Sequence, residues 1–136
     1  MEELLAFYGT LLSGLPARPN RPELAPYVEL VRGCLIPGSL YDVGPYPALV
    51  PGDGVVRGEL WRTTSEDALA VVDGWEGYEA AVEDQAPYVR RRLRLVEPDD
   101  VDAWVYVWNR PLDGLVAIPG GDWRAHFDAN PPAWAR

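Results

Sequence analysis

The chain of 136 residues contains no lysine; all twelve of its basic residues are arginine. A Schiff-base lysine and a phosphate-loop lysine are therefore excluded. Cysteine and histidine occur once each, as Cys34 and His126. An intrachain disulfide is impossible, and a Cys/His metal cage lacks ligands. No Ser/His or Cys/His nucleophile pair stands out, and nothing in the residue types calls for a metal or a cofactor. Positive charge is scarce. A formal net charge of −9 argues against a nucleic-acid partner or an anionic membrane surface. No apolar run reaches the length of a membrane span. Glu2 and Glu3 stand where a secretory signal would be basic, so the expected location is cytoplasmic.

What is present is an ordinary globular composition, 48% apolar, with no repeat, low-complexity segment or linker. One domain with one core, spanning residues 1–136, is the expectation. Leu4 to Tyr8 is an apolar run that breaks at Gly9 and turns through Thr10 to Gly14. It reads as a buried strand opening into a loop. Gly9 permits a sharp bend or a close approach, and successive N–H groups in such a turn can hold an anion. A plain edge turn is the alternative.

Pro16, Pro19, Pro22 and Pro26 then prevent a long helix, although Pro22 can open a short one through Leu30. Val31 to Tyr41 reads as a strand bent at Pro37-Gly38 and continuing to Val43. Gly44-Pro45-Tyr46-Pro47 follows as a rigid loop. Pro51-Gly52-Asp53-Gly54 reads as a turn before a strand over Val55–Trp61. The period then becomes helical: Thr64-Ser65-Glu66-Asp67 suits a helix N-terminus, Ala68, Leu69, Val72 and Trp75 mark one face, and Gly77 stops it. Residues 79–86 form an acidic, exposed loop. Tyr88–Val96 and Val101–Asn109 are strands joined across Glu97–Asp100; the second is apolar on both faces and so central. Gly121 to Arg124 begins a terminal helix capped by Asp122, and the tail from Asn130 is ordered by docking. Five to six strands with one main helix indicate an α+β domain built on a small curled sheet or barrel.

Leu69, Val72 and Glu76 share a helical face. If that face packs on the sheet, Glu76 points inward at the helix C-terminus. Desolvation and the helix dipole then both disfavour the carboxylate and raise its pKa towards neutrality, the range of a general acid/base. The alternative is a solvated residue on the last turn. Cys34, in an apolar strand, reads as a small core residue, and His126 as a surface or packing residue. Tyr8, Tyr41, Tyr46, Tyr88 and Tyr106 are candidate hydrogen-bond donors to a cavity; the alternative for each is a core or rim aromatic with its hydroxyl in water. Tyr88 falls on the face of Arg90, Arg92 and Arg94, so it reaches the cavity only if its strand is bulged. Arg90 reads as a carboxylate clamp or as an exposed partner of the acidic loop, and Asp73 as a surface acid or a helix-to-loop anchor.

Tyr8-Gly9-Thr10-Leu11, Gly44-Pro45-Tyr46-Pro47-Ala48, Val56-Arg57-Gly58-Glu59-Leu60, Val72-Asp73-Gly74-Trp75-Glu76-Gly77-Tyr78 and Tyr88-Val89-Arg90 occur in this order. Together they resemble the ordered signature of the γ-glutamylcyclotransferase-like (AIG2-like) family, over about residues 4 to 124. Val72 stands where that family often has Leu. The resemblance implies a small mixed β-barrel with flanking helices around one polar cavity. It also implies cyclisation of a γ-glutamyl amine or peptide to 5-oxoproline with release of the amine. Carried over, Glu76 is the catalytic acid/base, and Tyr8, Gly9, Thr10 and Leu11 form the loop that binds the glutamyl end. Tyr46, Tyr88 and Tyr106 join them as candidate substrate-binding residues. The substrate's own α-amine is the nucleophile, in keeping with the absence of a protein one. A non-catalytic carboxylate-binding module on the same fold is the alternative, and the partner is a small molecule bound by a monomer or homodimer.

Overall fold

The computed structural model describes residues 3–9, 26–44 and 46–129. Six strands form one sheet: β1 (Leu4–Phe7), β2 (Val28–Asp42), β3 (Pro47–Thr63), β4 (Tyr88–Arg94), β5 (Asp102–Trp108) and β6 (Val116–Ile118). Two α-helices, α1 (Ala68–Glu76) and α2 (Trp123–Ala129), flank it, and a 3-10 turn spans Ala80–Gln85. The strand order is β4-β5-β1-β3-β2-β6. All pairings are antiparallel except β1 with β5, where Leu5 faces Trp104 in parallel. The sheet is therefore mixed, and it curls on itself. Leu35 N–H donates to Glu97 O at 2.8 Å and Val96 N–H to Leu35 O at 2.9 Å, so the chain leaving β4 is stitched to β2. This is the expected α+β architecture of barrel type.

Two apolar layers follow from strand alternation. Ala6, Ile36, Leu40, Leu49, Val56, Leu60 and Val105 fill the inside of the curl, closed at one end by Trp123 and Phe127 of α2. Leu5, Phe7, Tyr88 and Tyr106 look the other way, onto Val72 of α1. Cys34 is buried in the inner layer, as its apolar strand suggested, and burial pushes its thiol up to about 12. The Asp122 cap is present: its Oδ1 accepts the Ala125 N–H at 3.1 Å.

Two sequence expectations are corrected. Val28–Leu30 is not helical but pairs with Trp61–Thr63 as the start of β2, while residues 21–25 lie outside the described region. Pro51–Gly54 does not reverse the chain, because β3 runs unbroken from Pro47 to Thr63. Ser39 pairs with Val50 and Pro37 with Val55, so the four residues Pro51–Gly54 stand opposite Gly38 alone. Turn-forming residues are used here for a wide bulge, which adds curvature to the sheet without ending the strand. Residues 79–86 are largely exposed as expected, but they are organised by the 3-10 turn. Glu83 there accepts from Arg91 at 2.8 Å and from Tyr78 O–H at 2.9 Å.

Candidate active site

Helix α1 places Val72 in the core and leaves Glu76, its last residue, partly buried. Gly77 ends the helix in the left-handed conformation at φ 72°, and Tyr78 N–H closes back on Asp73 O at 2.9 Å. The Glu76 carboxyl is densely surrounded by protein although the residue retains some exposure at the helix end. Burial, and next the negative charge of Asp73, push its pKa up to about 7. No described residue donates a hydrogen bond or an ion pair to it.

Three buried tyrosines answer to that carboxylate. Tyr8, Tyr88 and Tyr106 have their phenol pKa raised, first by burial, and the negative charge of Glu76 contributes in all three. Each hydroxyl proton already has a protein acceptor. Tyr8 O–H donates to Tyr106 O at 2.5 Å, Tyr88 O–H to Pro47 O at 2.6 Å, and Tyr106 O–H to Asp73 Oδ1 at 2.6 Å. A hydroxyl has one proton. In this arrangement the three hydroxyl protons are directed at protein acceptors rather than at the Glu76 carboxyl. Tyr46 is exposed, its ring 6.1 Å from that of Tyr88. Gly9 is buried against the same loop. A Cβ there would stand 2.7 Å from Pro47 Cγ, which is why the position has no side chain. Thr10 and Leu11 lie outside the described residues.

The register of β4 corrects another reading. Tyr88 pairs with Trp108, Arg90 with Tyr106 and Arg92 with Trp104 without a break, so there is no bulge. Tyr88 does share the arginine face, and α1 covers the Tyr88–Arg90 end of it, while Arg92 and Arg94 remain exposed. Arg90 is accordingly neither solvent-facing nor paired with the acidic loop. Its guanidinium lies 4.6 Å from the Trp104 ring centre, and its Nε is 3.1 Å from Asp73 Oδ1. That N–H is aimed off the oxygen, so the contact is Coulombic rather than a hydrogen bond. Asp73 is equally no surface acid: its side chain is 18% exposed and joins Tyr106 and Arg90 directly beside Glu76. Sequence reasoning undervalued both residues. The signal that would have found them is the aromatic file Trp104, Tyr106 and Trp108 opposite the arginines.

An open groove of about 570 Å³ lies elsewhere, lined by Arg32, Cys34, Arg57, Glu59, Glu97 and Arg124, among others, and its lining includes neither Glu76 nor the three tyrosines. Its arginines already have acidic partners: Arg32 with Glu97, Arg57 with Asp122 and Arg124 with Glu59. It contains no group poised like Glu76.

The sequence profile described as "Gamma-glutamyl cyclotransferase, AIG2-like" matches residues 5–125. The chain belongs to this family. The Escherichia coli (strain K12) gamma-glutamylcyclotransferase family protein YtfP is 39% identical to it over 90 residues, 62% of this chain and 66% of that relative's length. A Vibrio cholerae relative is 31% identical over 124 residues, covering 90% of this chain and 96% of its own. The crystal structure of an AIG2-like protein from Mus musculus superposes with a TM-score of 0.61 at 25% identity, over 81% of this chain and 80% of the mouse chain. The profile match includes the Tyr8-Gly9 bend and the α1 terminus that carries Glu76. Among the described residues, no helix is long and apolar enough to cross a membrane.

Proposed function

We propose that this family member is a γ-glutamyl cyclotransferase. In this reading it closes a γ-glutamyl amine or peptide into 5-oxoproline and releases the amine, with Glu76 as general acid/base. The observation that carries the reading is Glu76 itself: a carboxyl near pKa 7, without a described partner, among three buried tyrosine hydroxyls.

The reaction requires little else of the protein. The neutral α-amine of the substrate attacks its own γ-carbonyl carbon, and the carbonyl π pair moves to oxygen. The nitrogen, now cationic, passes a proton to the Glu76 carboxylate. Glu76 returns that proton to the leaving nitrogen as the oxyanion re-forms the carbonyl and the old C–N bond breaks. One proton has moved from one nitrogen to the other, and Glu76 ends as it began. Holding the substrate folded supplies proximity. Backbone N–H groups from Gly9 onward are the donors proposed for the α-carboxylate or the developing oxyanion, because the tyrosine protons are committed elsewhere. The tyrosine lone pairs suit the amine end, whose N–H groups need acceptors.

Turnover of a panel of γ-glutamyl amides, read as 5-oxoproline release, tests the proposal. Glu76→Gln keeps the shape and removes the base. Its kcat should fall by about 10²- to 10⁴-fold while 5-oxoproline still binds by calorimetry. Retained turnover would remove Glu76 from the mechanism. Wild-type protein that binds 5-oxoproline but releases none from any γ-glutamyl amide would instead be a carboxylate-binding module.

A further inference from the structure

The segment that carries Tyr46 and Pro47 is tied down from the side away from Tyr88 and Gly9. Asp42, the last residue of β2, has both carboxylate oxygens engaged. Its Oδ1 accepts the Gly44 N–H at 2.6 Å, and its Oδ2 lies 2.7 Å from Nε2 of His126. His126 projects from α2, and its ring packs 5.5 Å from that of Trp123, which is 2% exposed in the inner core. The imidazole is thus held by the packed helix, and the loop is held by the imidazole through one carboxylate.

On the loop side, Gly44 has φ 120°, a region open to glycine and closed to other residues. Val43 N–H donates to Tyr46 O at 3.1 Å, and Asp42 and Pro47 are cross-strand partners. The loop is therefore short, and its N–H at Gly44 fixes its direction. Beyond it lie the contacts with the candidate site residues: Tyr46 against Tyr88, Pro47 O accepting from Tyr88, and the Pro47 ring against Gly9. Asp42 and His126 do not act on Glu76, whose pKa responds to burial and Asp73. With side chains 27% and 20% exposed, they are more enclosed than an ordinary surface pair, which contributes little.

We propose that Asp42 and His126 are positioning residues: together they fix Gly44 and so hold Tyr46 and Pro47 where the glutamyl ligand docks. The assignment rests on the active-site reading above for its functional consequence, but not for the loop linkage itself.

Four variants test it: Asp42→Ala, Asp42→Asn, His126→Ala and His126→Gln. Asn keeps an oxygen for the Gly44 N–H, and Gln keeps an amide donor towards Asp42. Two measurements are made on each: hydrogen exchange of the Gly44 amide with the ring signals of Tyr46 by NMR, and affinity for 5-oxoproline with KM and kcat. Asp42→Ala and His126→Ala should speed Gly44 exchange. They should weaken 5-oxoproline binding and raise KM by about tenfold, the cost of one well-placed hydrogen bond, while kcat changes much less. Asn and Gln should restore most of the affinity. If the alanine variants leave Gly44, Tyr46 and KM unchanged, the proposal is overturned. It is equally overturned if they lower kcat and thermal midpoint together without rescue by Asn or Gln, because the pair would then only support the fold. Altered Gly44 exchange in a protein whose wild type neither binds 5-oxoproline nor turns over would sink the active-site reading and with it the functional half of this proposal.

Discussion

Burial first, and Asp73 next, set how tightly Glu76 keeps its proton. The two carboxyls sit one helical turn apart, and the charge on Asp73 adds to burial in raising Glu76 to about 7. Asp73→Asn retains an oxygen for Tyr106 O–H but removes that charge, leaving Arg90 cationic beside the site. Glu76 should then ionise at lower pH, and the acid limb of the kcat/KM profile should move down from near 7. An unmoved limb would mean that another group titrates there. Tyr88→Phe leaves Pro47 O without its buried donor and should cost about 1–2 kcal/mol in denaturant unfolding. The inward aim of Glu76 was legible in the chain, because the spacing from Leu69 and Val72 is local information. Asp73 was not. Its partners Tyr106 and Arg90 come from strands far along the chain, and only the register of β4 on β5 reveals that they meet there. Tyr88 was assigned the correct alternation but the wrong surroundings: Arg92 and Arg94 do face solvent, whereas the Tyr88–Arg90 end of the same face lies under α1.

At the scale of elements, the end of α1 is a single-residue decision. Gly77 takes φ 72°, and a Cβ there would meet only Pro87, at 4.0 Å. Gly77→Ala therefore tests conformation rather than crowding. It should destabilise the protein by about 1 kcal/mol and, by loosening the terminal turn, lower kcat more than a surface Gly→Ala such as Gly74→Ala. Helix α1, the strands β1, β4 and β5, and the Asp122 cap of α2 could be read from period and capping residues. Three features could not. Pro51–Gly54 has turn chemistry, but the long β2–β3 pairing continues past it on both sides and absorbs it as a bulge. The start of β2 was obscured by prolines that favour a helix opening, yet cross-strand partners on β3 settle Val28–Leu30 as strand. β6, at three residues, is too short to carry a period, and it is defined only by its pairing with Leu40–Asp42.

For the molecule as a whole, one buried acid makes stability depend on pH in an unusual sense. The folded protein holds the Glu76 proton up to about pH 7, whereas the unfolded chain releases it near 4.5. Between those values the folded state binds more protons, so this residue's contribution to stability falls as pH rises through that window. Glu76→Gln should match wild type near pH 4. Near pH 8 it should be more stable, by on the order of 2–3 kcal/mol. Equal stability at both pH values, by chemical denaturation, would mean that Glu76 is solvated.

The parallel contact between β1 and β5 has a consequence for biosynthesis. Leu5 and Trp104 are neighbours in the sheet, and the Tyr8 hydroxyl rests on the carbonyl of Tyr106. A nascent polypeptide emerging from the ribosome can zip β2 onto β3 early, but its first strand must wait, with one side unpaired, until β5 has been translated. The sheet would then close late and all at once, and a message truncated before codon 102 would leave β1 with one edge unpaired.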